Sequence, residues 1–370
     1  MIFGRIRGNM GADVTKLSTA IDAYPAAFRG NRLNLLFLDD AHPIDSSREF
    51  LRKVDSLQLQ EERREYLISD KEGWHFPTIS IESRPDPWKI TEALFDNFEI
   101  AGKILPTQRD IGQILTEHAL KKNPDIIILN VVDGLSYYDL PDNIDAIPCL
   151  VRGVTTTDFG FRDVIGKPNT SQRLFSLGYK SQLAFTFFDT DTRHLSAELH
   201  ATFGSSQLNR INSIEEGIDI IRGNPFWRGY IQIVAPGLDK LAHYHADRPM
   251  IKETLCRIFE RLDKVIDSVS SKGRKVIACL TSDHGILWRD DAKDKTEVVG
   301  DLFSEDTAHP RYVKGSLSRN YARAVKLESK SYTLLKAPYM TRDWKHSEWG
   351  VHGGISAWES IVPIIIKEIG

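Results

Sequence analysis

Cysteine is scarce in this chain. Cys149, Cys256 and Cys279 are the only three in 370 residues. They are odd in number and far apart, which excludes a disulfide framework and fits reduced, mostly buried thiols of a cytosolic protein. Long apolar runs are missing too. No stretch approaches the ~20 residues that a membrane helix needs. The opening MIFGRIRGNMG carries arginines but no continuous apolar segment, so no signal peptide is expected and the expected location is cytoplasmic. There is no excess of positive charge: 48 Lys and Arg stand against 51 Asp and Glu, a net charge of −3. A global basic field for nucleic acid is thereby excluded, and any polyanion site must be local. Internal repeats and low-complexity tracts are absent as well.

What is present is 41% hydrophobic and 27% charged, an ordinary globular composition with material for a large core. Short β-branched apolar runs alternate with longer amphipathic stretches. Leu33–Leu38, Asp125–Val132, Ile147–Val151, Gln182–Phe188, Tyr230–Val234, Lys275–Leu280 and Ile361–Ile366 read as strands. Several are apolar on both faces, as parallel strands covered by helices on both sides are. Asp110–Lys121, Ile214–Ile221 (after the cap Ser213) and Pro249–Ser268 read as helices, the last with Ile251, Leu255, Ile258, Leu262 and Ile266 on one face. The alternation predicts an α/β fold, a three-layer α/β/α sandwich around a mostly parallel sheet.

Two segments depart from that pattern. Residues 1–100 hold one clear strand, an acidic pair Asp39-Asp40 and a polar stretch Asp55–Glu72 that reads as a solvated helix. They are expected to form an N-terminal extension or subdomain, with the main domain spanning 101–370. Residues 289–350 are irregular, acid-rich from Asp290 to Asp306 and then basic through Arg311, Lys314, Arg319, Arg323, Lys326 and Lys330. An excursion of this kind between core strands is a candidate cap.

The chemistry concentrates at strand ends, where open α/β sheets place their ligands. The first run ends in Asp133-Gly134. Tyr230–Val234 leads to Asp239, with His243 four residues on, so a helix starting there would put both side chains on one face. Lys275–Leu280 leads to Asp283-His284, and His352-Gly353-Gly354 precedes the last strand. Three carboxylates and three imidazoles at four loops suit divalent cations, which would compensate buried acids. Thr155-Thr156-Thr157-Asp158 follows Ile147–Val151, before a stretch that reads as a helix closed by Gly166. A hydroxyl at that N-terminus would face free backbone amides, which favour a developing alkoxide and an anionic substrate.

In that order the residues resemble the alkaline-phosphatase superfamily. The ending VHGGISAWESIVPIII is similar to the signature of PglZ-type domains, which are related to type I phosphodiesterases and occur in phage-defence operons. The resemblance covers about residues 125–370. It implies two divalent metal ions, zinc first and manganese second. Asp133, Thr156, Asp283 and His284 would hold one, and Asp239, His243 and His352 the other. It implies Thr156 as nucleophile, ten residues before Gly166, with Thr155 and Thr157 as alternatives. Leu150 after Cys149 departs from the sulfatase pattern.

The activity so implied is a metal-dependent phosphodiesterase acting on nucleic acid or a nucleotide. Lys167, Arg311, Lys314 and Arg323 are the candidate phosphate contacts, and proteins of a defence system the candidate partners. The alternatives are a phosphomonoesterase or phosphate-transfer enzyme on the same site, and a non-catalytic binding module of a defence complex.

Overall fold

The computed structural model describes residues 86–370, apart from 97, 99–100, 102–104, 142–143, 145, 167–168, 187–207, 212, 225, 236, 244–247, 271–272, 300–308 and 328. Leu33–Leu38, Asp39-Asp40, Asp55–Glu72 and Lys167 lie outside the described residues.

The strands in chain order are β1 (Ile126–Val132), β2 (Ile147–Leu150), β3 (Ser181–Thr186), β4 (Asn209–Arg210), β5 (Gly229–Ala235), β6 (Val276–Ser282), β7 (Leu287–Trp288), β8 (Glu297–Val298), β9 (Tyr312–Lys314), β10 (Ala322–Leu327), β11 (Lys330–Leu335), β12 (Tyr339–Met340), β13 (Gly350–Val351) and β14 (Ile361–Ile369). The helices used below are α1 (Pro87–Asp96), α2 (Ile111–Lys122), α3 (Thr157–Ile165), α4 (Thr170–Ser176), α5 (Ile214–Gly223), α6 (Leu238–His243), α7 (Arg248–Ser270) and α8 (Ala357–Ser360).

Seven strands form the central sheet in the order β2-β14-β6-β1-β5-β3-β4. β6, β1, β5, β3 and β4 run parallel, and β14 alone opposes its neighbours β6 and β2. β1 shows why the sheet must be covered twice, since all seven of its residues are buried. Ile126, Ile128 and Val132 face one core, and Ile127, Leu129 and Val131 the other. This is the period-2 alternation of a strand apolar on both faces.

α1 and α7 pack on the first face through Ile90, Leu94, Ile251, Leu255, Ile258 and Leu262. α2, α3 and α4 pack on the second through Ile111, Leu115, Phe161, Val164 and Leu174. The result is the expected three-layer α/β/α sandwich. α2 ends at Asn123, which takes the left-handed conformation with φ 47° and closes the last turn onto Ala119, as C-terminal caps do.

α1 lies before residue 100 and packs on the main core. Asp86 accepts from the Trp88 N–H and Pro87 opens the first turn, a standard helix start. Ile90 and Leu94 then join the main core. The unit containing the sheet therefore reaches back at least to Pro87.

The insertion carries an antiparallel sheet in the order β10-β11-β9 and the small pairs β12-β8 and β13-β7. Tyr312, Tyr332 and Leu334 belong to the main core, so this part of the insertion is docked on the domain.

Candidate metal centre

Each strand end delivers one element of the site. The register of β1 with β5 and β6 pairs Val132 with Ala235 and with Ser282, so the three strands finish level. Asp133 follows β1, Asp239 lies in the first turn of α6 after β5, and Asp283 and His284 follow β6. The Asp239 N–H donates to the Asp133 carbonyl at 3.3 Å. Gly134 makes that approach possible. Its φ is +80°, and a Cβ there would lie 2.9 Å from the Asp239 nitrogen. Any side chain would face both strain and collision.

Two three-ligand groups result, Asp133–Asp283–His284 and Asp239–His243–His352, with the ligand atoms of each within 4.8 Å of one another. In the first, His284 Nε2 is 3.6 Å from both Asp133 Oδ1 and Asp283 Oδ2. In the second, His352 Nε2 is 3.2 Å from Asp239 Oδ1 and His243 Nε2 is 3.5 Å from Asp239 Oδ2. The rings of His284 and His352 stack at 4.3 Å, which sets the groups side by side. His243 is half exposed and forms the rim, whereas Asp283 and His284 are fully buried.

The side chains fit two cations. Asp283 Oδ1 accepts from the Gly134 and His284 N–H groups at 3.1 and 2.9 Å. Asp283 Oδ2 is buried and receives no hydrogen bond, which is costly unless a cation is the partner. His284 Nδ1 lies 3.1 Å from the Gly285 carbonyl and His352 Nδ1 2.9 Å from the Thr155 carbonyl. Donation from Nδ1 turns both Nε2 atoms toward the carboxylates, the usual orientation of a ligating histidine. Mixed carboxylate and imidazole donors suit zinc or manganese.

The electrostatics agree. Burial and the charges of Asp283 and Asp239 push the Asp133 carboxyl well above its ordinary range. Burial also lowers His284. Burial alone would raise Asp239, yet His352, His243 and His284 around it hold it well below the carboxylate range. Burial likewise opposes protonation of His352, but Asp239 beside it raises that imidazole to about 9.

The three threonines separate. Thr155 is fully buried; its hydroxyl donates to the Gly354 carbonyl and accepts from the Gly353 N–H. Thr156 is the N-cap of α3 in extended conformation, and its side chain makes no capping bond. Thr157 points at the first group, with Oγ1 3.2 Å from His284 Nε2 and 3.5 Å from Asp133 Oδ1. Thr156 is the residue the resemblance implies, and Thr157, one of its alternatives, is the one whose hydroxyl stands at the first group. Spacing from Gly166 does not resolve one residue at a helix start, where the first turn sets which side chain faces inward.

The basic candidates also need correction. Arg311 is fully buried and bonded to Glu359 and backbone carbonyls, which removes it as a phosphate contact. Arg323 donates to the Asp96 carbonyl and lies 5.3 Å above the Phe95 ring, committed to α1. Lys314 is exposed on β9. Gln108 went unnoticed in the sequence. It donates to the Ser282 and Asp283 carbonyls at 2.8 and 2.5 Å, fixing the end of β6 from below.

No family model matches the chain, and no curated protein matches it. Solved structures resemble it. Murine ectonucleotide pyrophosphatase/phosphodiesterase 5 aligns at 11% identity over 64% of this chain and 87% of that one, with a TM-score of 0.40. The zinc complex of the C-terminal periplasmic domain of EcEptC from Escherichia coli aligns at 11% identity over 44% and 64%, with a TM-score of 0.31. Phosphoethanolamine transferase A from Neisseria meningitidis aligns at 8% identity over 76% and 58%, with a TM-score of 0.34. The chain spans less than two thirds of the length of the E. coli domain, and what this site does must come from its own side chains. Among the described residues, no helix is long and apolar enough to cross a membrane.

Proposed function

We propose that the chain is a metal-dependent phosphoester hydrolase of the phosphodiesterase type, with Thr157 as its nucleophile. One observation carries this reading: two adjacent three-ligand groups, with the Thr157 hydroxyl held against one of them. Two bound cations, zinc first and manganese second, would supply Lewis acidity for the hydroxyl and charge neutralisation for the phosphate.

The remaining work falls to the chain. α3 begins at Thr157, so its free N–H groups point toward the same space and favour an anion there. Thr157 Oγ1 gives up its proton and attacks phosphorus in line, the bond to the leaving oxygen breaks, that oxygen departs as an alcohol with a proton, and the remaining phosphate monoester is bonded to the threonine. Water then attacks phosphorus, the Thr157–phosphorus bond breaks, one proton of the water returns to the threonine oxygen, and the phosphate monoester leaves. Asp133, Asp239 and Asp283 keep the site negative enough to require cations, and buried surroundings strengthen every charge interaction in it. The substrate class is a nucleotide or nucleic-acid diester. Phage-defence partners rest only on the resemblance of the segment that begins at His352.

The test is turnover of bis-p-nitrophenyl phosphate beside p-nitrophenyl phosphate, with zinc or manganese. The diester is expected to be preferred. Thr157→Val is expected to lose several orders of magnitude of turnover, up to about 10⁶-fold where a nucleophile is removed, while Thr156→Val keeps most of it. Full turnover in Thr157→Val would refute the assignment. Wild-type protein that binds metal but cleaves neither ester would favour the non-catalytic reading.

A further inference from the structure

Arg311 and Glu359 form a fully buried ion pair between the insertion and α8. It is bidentate: Nε donates to Oε1 at 3.1 Å and Nη2 to Oε2 at 2.8 Å. Taking two charges out of water is expensive, and apolar side chains of equal volume would serve stability as well. The use of the pair lies in what else it holds.

Glu359 Oε1 also accepts from the Gly354 N–H at 2.9 Å, and Oε2 from the Ser356 hydroxyl at 2.6 Å. Gly354 lies close against the guanidinium; a Cβ there would sit 2.8 Å from Arg311 Nη2 and 2.5 Å from the Leu335 carbonyl oxygen. The loop after His352 is thus fixed from one side by the pair. Thr155 fixes it from the other. Its hydroxyl bonds Gly353 and Gly354, and its carbonyl receives the His352 ring. The backbone carbonyl of Glu359 in turn accepts from the Gly285 N–H at 3.0 Å, and the Gly285 carbonyl faces His284 Nδ1. One residue, Glu359, therefore reaches a histidine of each ligand group through a single intervening glycine or loop.

We propose that Arg311, Glu359 and Thr155 are positioning residues that set the register of His352 against His284, so that docking of the insertion tunes metal affinity. The proposal rests on the two-metal reading above. Outer contacts of this kind usually change metal affinity by about 10- to 100-fold.

Zinc titration of the full chain against a chromogenic chelator tests it, with thermal unfolding in EDTA as the measure of folding. Thr155→Val keeps shape and loses the hydroxyl; Arg311→Lys keeps charge and loses the fork. Thr155→Val is expected to melt in EDTA within a few degrees of wild type and Arg311→Lys lower, because lysine cannot replace the fork; both are expected to bind at least one zinc about 10- to 100-fold more weakly, while Thr155→Ser keeps wild-type binding. If either variant fails to fold, the other decides. Wild-type zinc affinity in a folded variant overturns the proposal. So does weakened binding that only tracks a lower melting temperature in EDTA and is not restored by Thr155→Ser. Wild-type protein that binds no zinc overturns this proposal and the two-metal reading together, whereas unaffected variants overturn the positioning role alone.

Discussion

Gly160 offers a quantitative test of how tightly α3 is seated. It lies in the first turn of the helix that begins at Thr157. A Cβ there would stand 1.9 Å from the Asp283 carbonyl oxygen, 2.5 Å from its carbonyl carbon and 2.9 Å from its Cα. All three are backbone atoms, so no side chain can swing away. Ordinary contact begins at 3.4 Å, which leaves a deficit of about 1.5 Å. Gly160→Ala must therefore push α3 off the end of β6 and carry Thr157 away from the Asp133–Asp283–His284 group.

Alanine normally favours a helix interior over glycine by about 1 kcal/mol. Overpacking of this kind costs about 1–3 kcal/mol, so the variant should melt a few degrees lower instead of higher. Misplacement by about 1 Å can cost on the order of 100-fold in rate, and diester turnover should fall by at least that much. Gly223→Ala, which no heavy atom opposes within 4 Å, is the control and should leave both quantities near wild type. A Gly160→Ala protein with wild-type melting temperature and turnover would refute the seating of α3 on Asp283, and with it the placement of Thr157.

Further expectations follow from the same geometry. Asp133→Asn removes a carboxyl whose ionisation burial and two neighbouring carboxylates oppose; in EDTA it should melt no lower than wild type, while the gain that wild type shows on adding zinc should shrink. Saturating zinc at about 100 times its Kd should stabilise wild type by about 2.7 kcal/mol per site, readable as a melting shift that EDTA reverses. Arg311→Ala leaves Glu359 buried without its partner and should cost about 3–5 kcal/mol in a denaturant titration. Glu348 is paired bidentately with Arg342 at 2.8 Å; burial raises its carboxyl, and the arginine more than offsets this, so its folded pKa is lowered. That contribution is complete above the unfolded value of about 4.3 and is lost as pH falls through the folded one, so Glu348→Gln should flatten the acid limb of a melting-temperature profile.

The sheet was legible because its strands are apolar on both faces. Asp125–Val132 became Ile126–Val132, Lys275–Leu280 became Val276–Ser282, and Ile214–Ile221 became Ile214–Gly223. Strand ends slipped where polar residues stay in the ladder. β14 runs on to Ile369 through Lys367 and Glu368, because pairing with β6 depends on backbone and not on hydropathy. Its antiparallel direction could not be read at all, since a short helix before a strand leaves the crossover open. The three carboxylates and three imidazoles were legible as strand-end residues and are brought together as two groups that could hold a metal ion. Arg311 was not: a basic residue in a basic stretch reads as surface, and its partner Glu359 is 48 positions away. α1 carried its own signals, Asp86-Pro87 followed by Ile90, Ala93 and Leu94, masked by the polar segment in front of it.

β14 has a consequence for how the molecule comes into being. It follows the other strands in sequence yet stands between β2 and β6 in the sheet. Among the described residues, apart from the bridge between Thr107 and Leu150, β2 has no partner strand during synthesis until residues more than two hundred positions later have been made. Such long-range pairing is slow and leaves apolar edges exposed in the meantime. His352 and Glu359 arrive with that same last segment, so a growing chain cannot bring the two three-residue groups together before the sheet is closed.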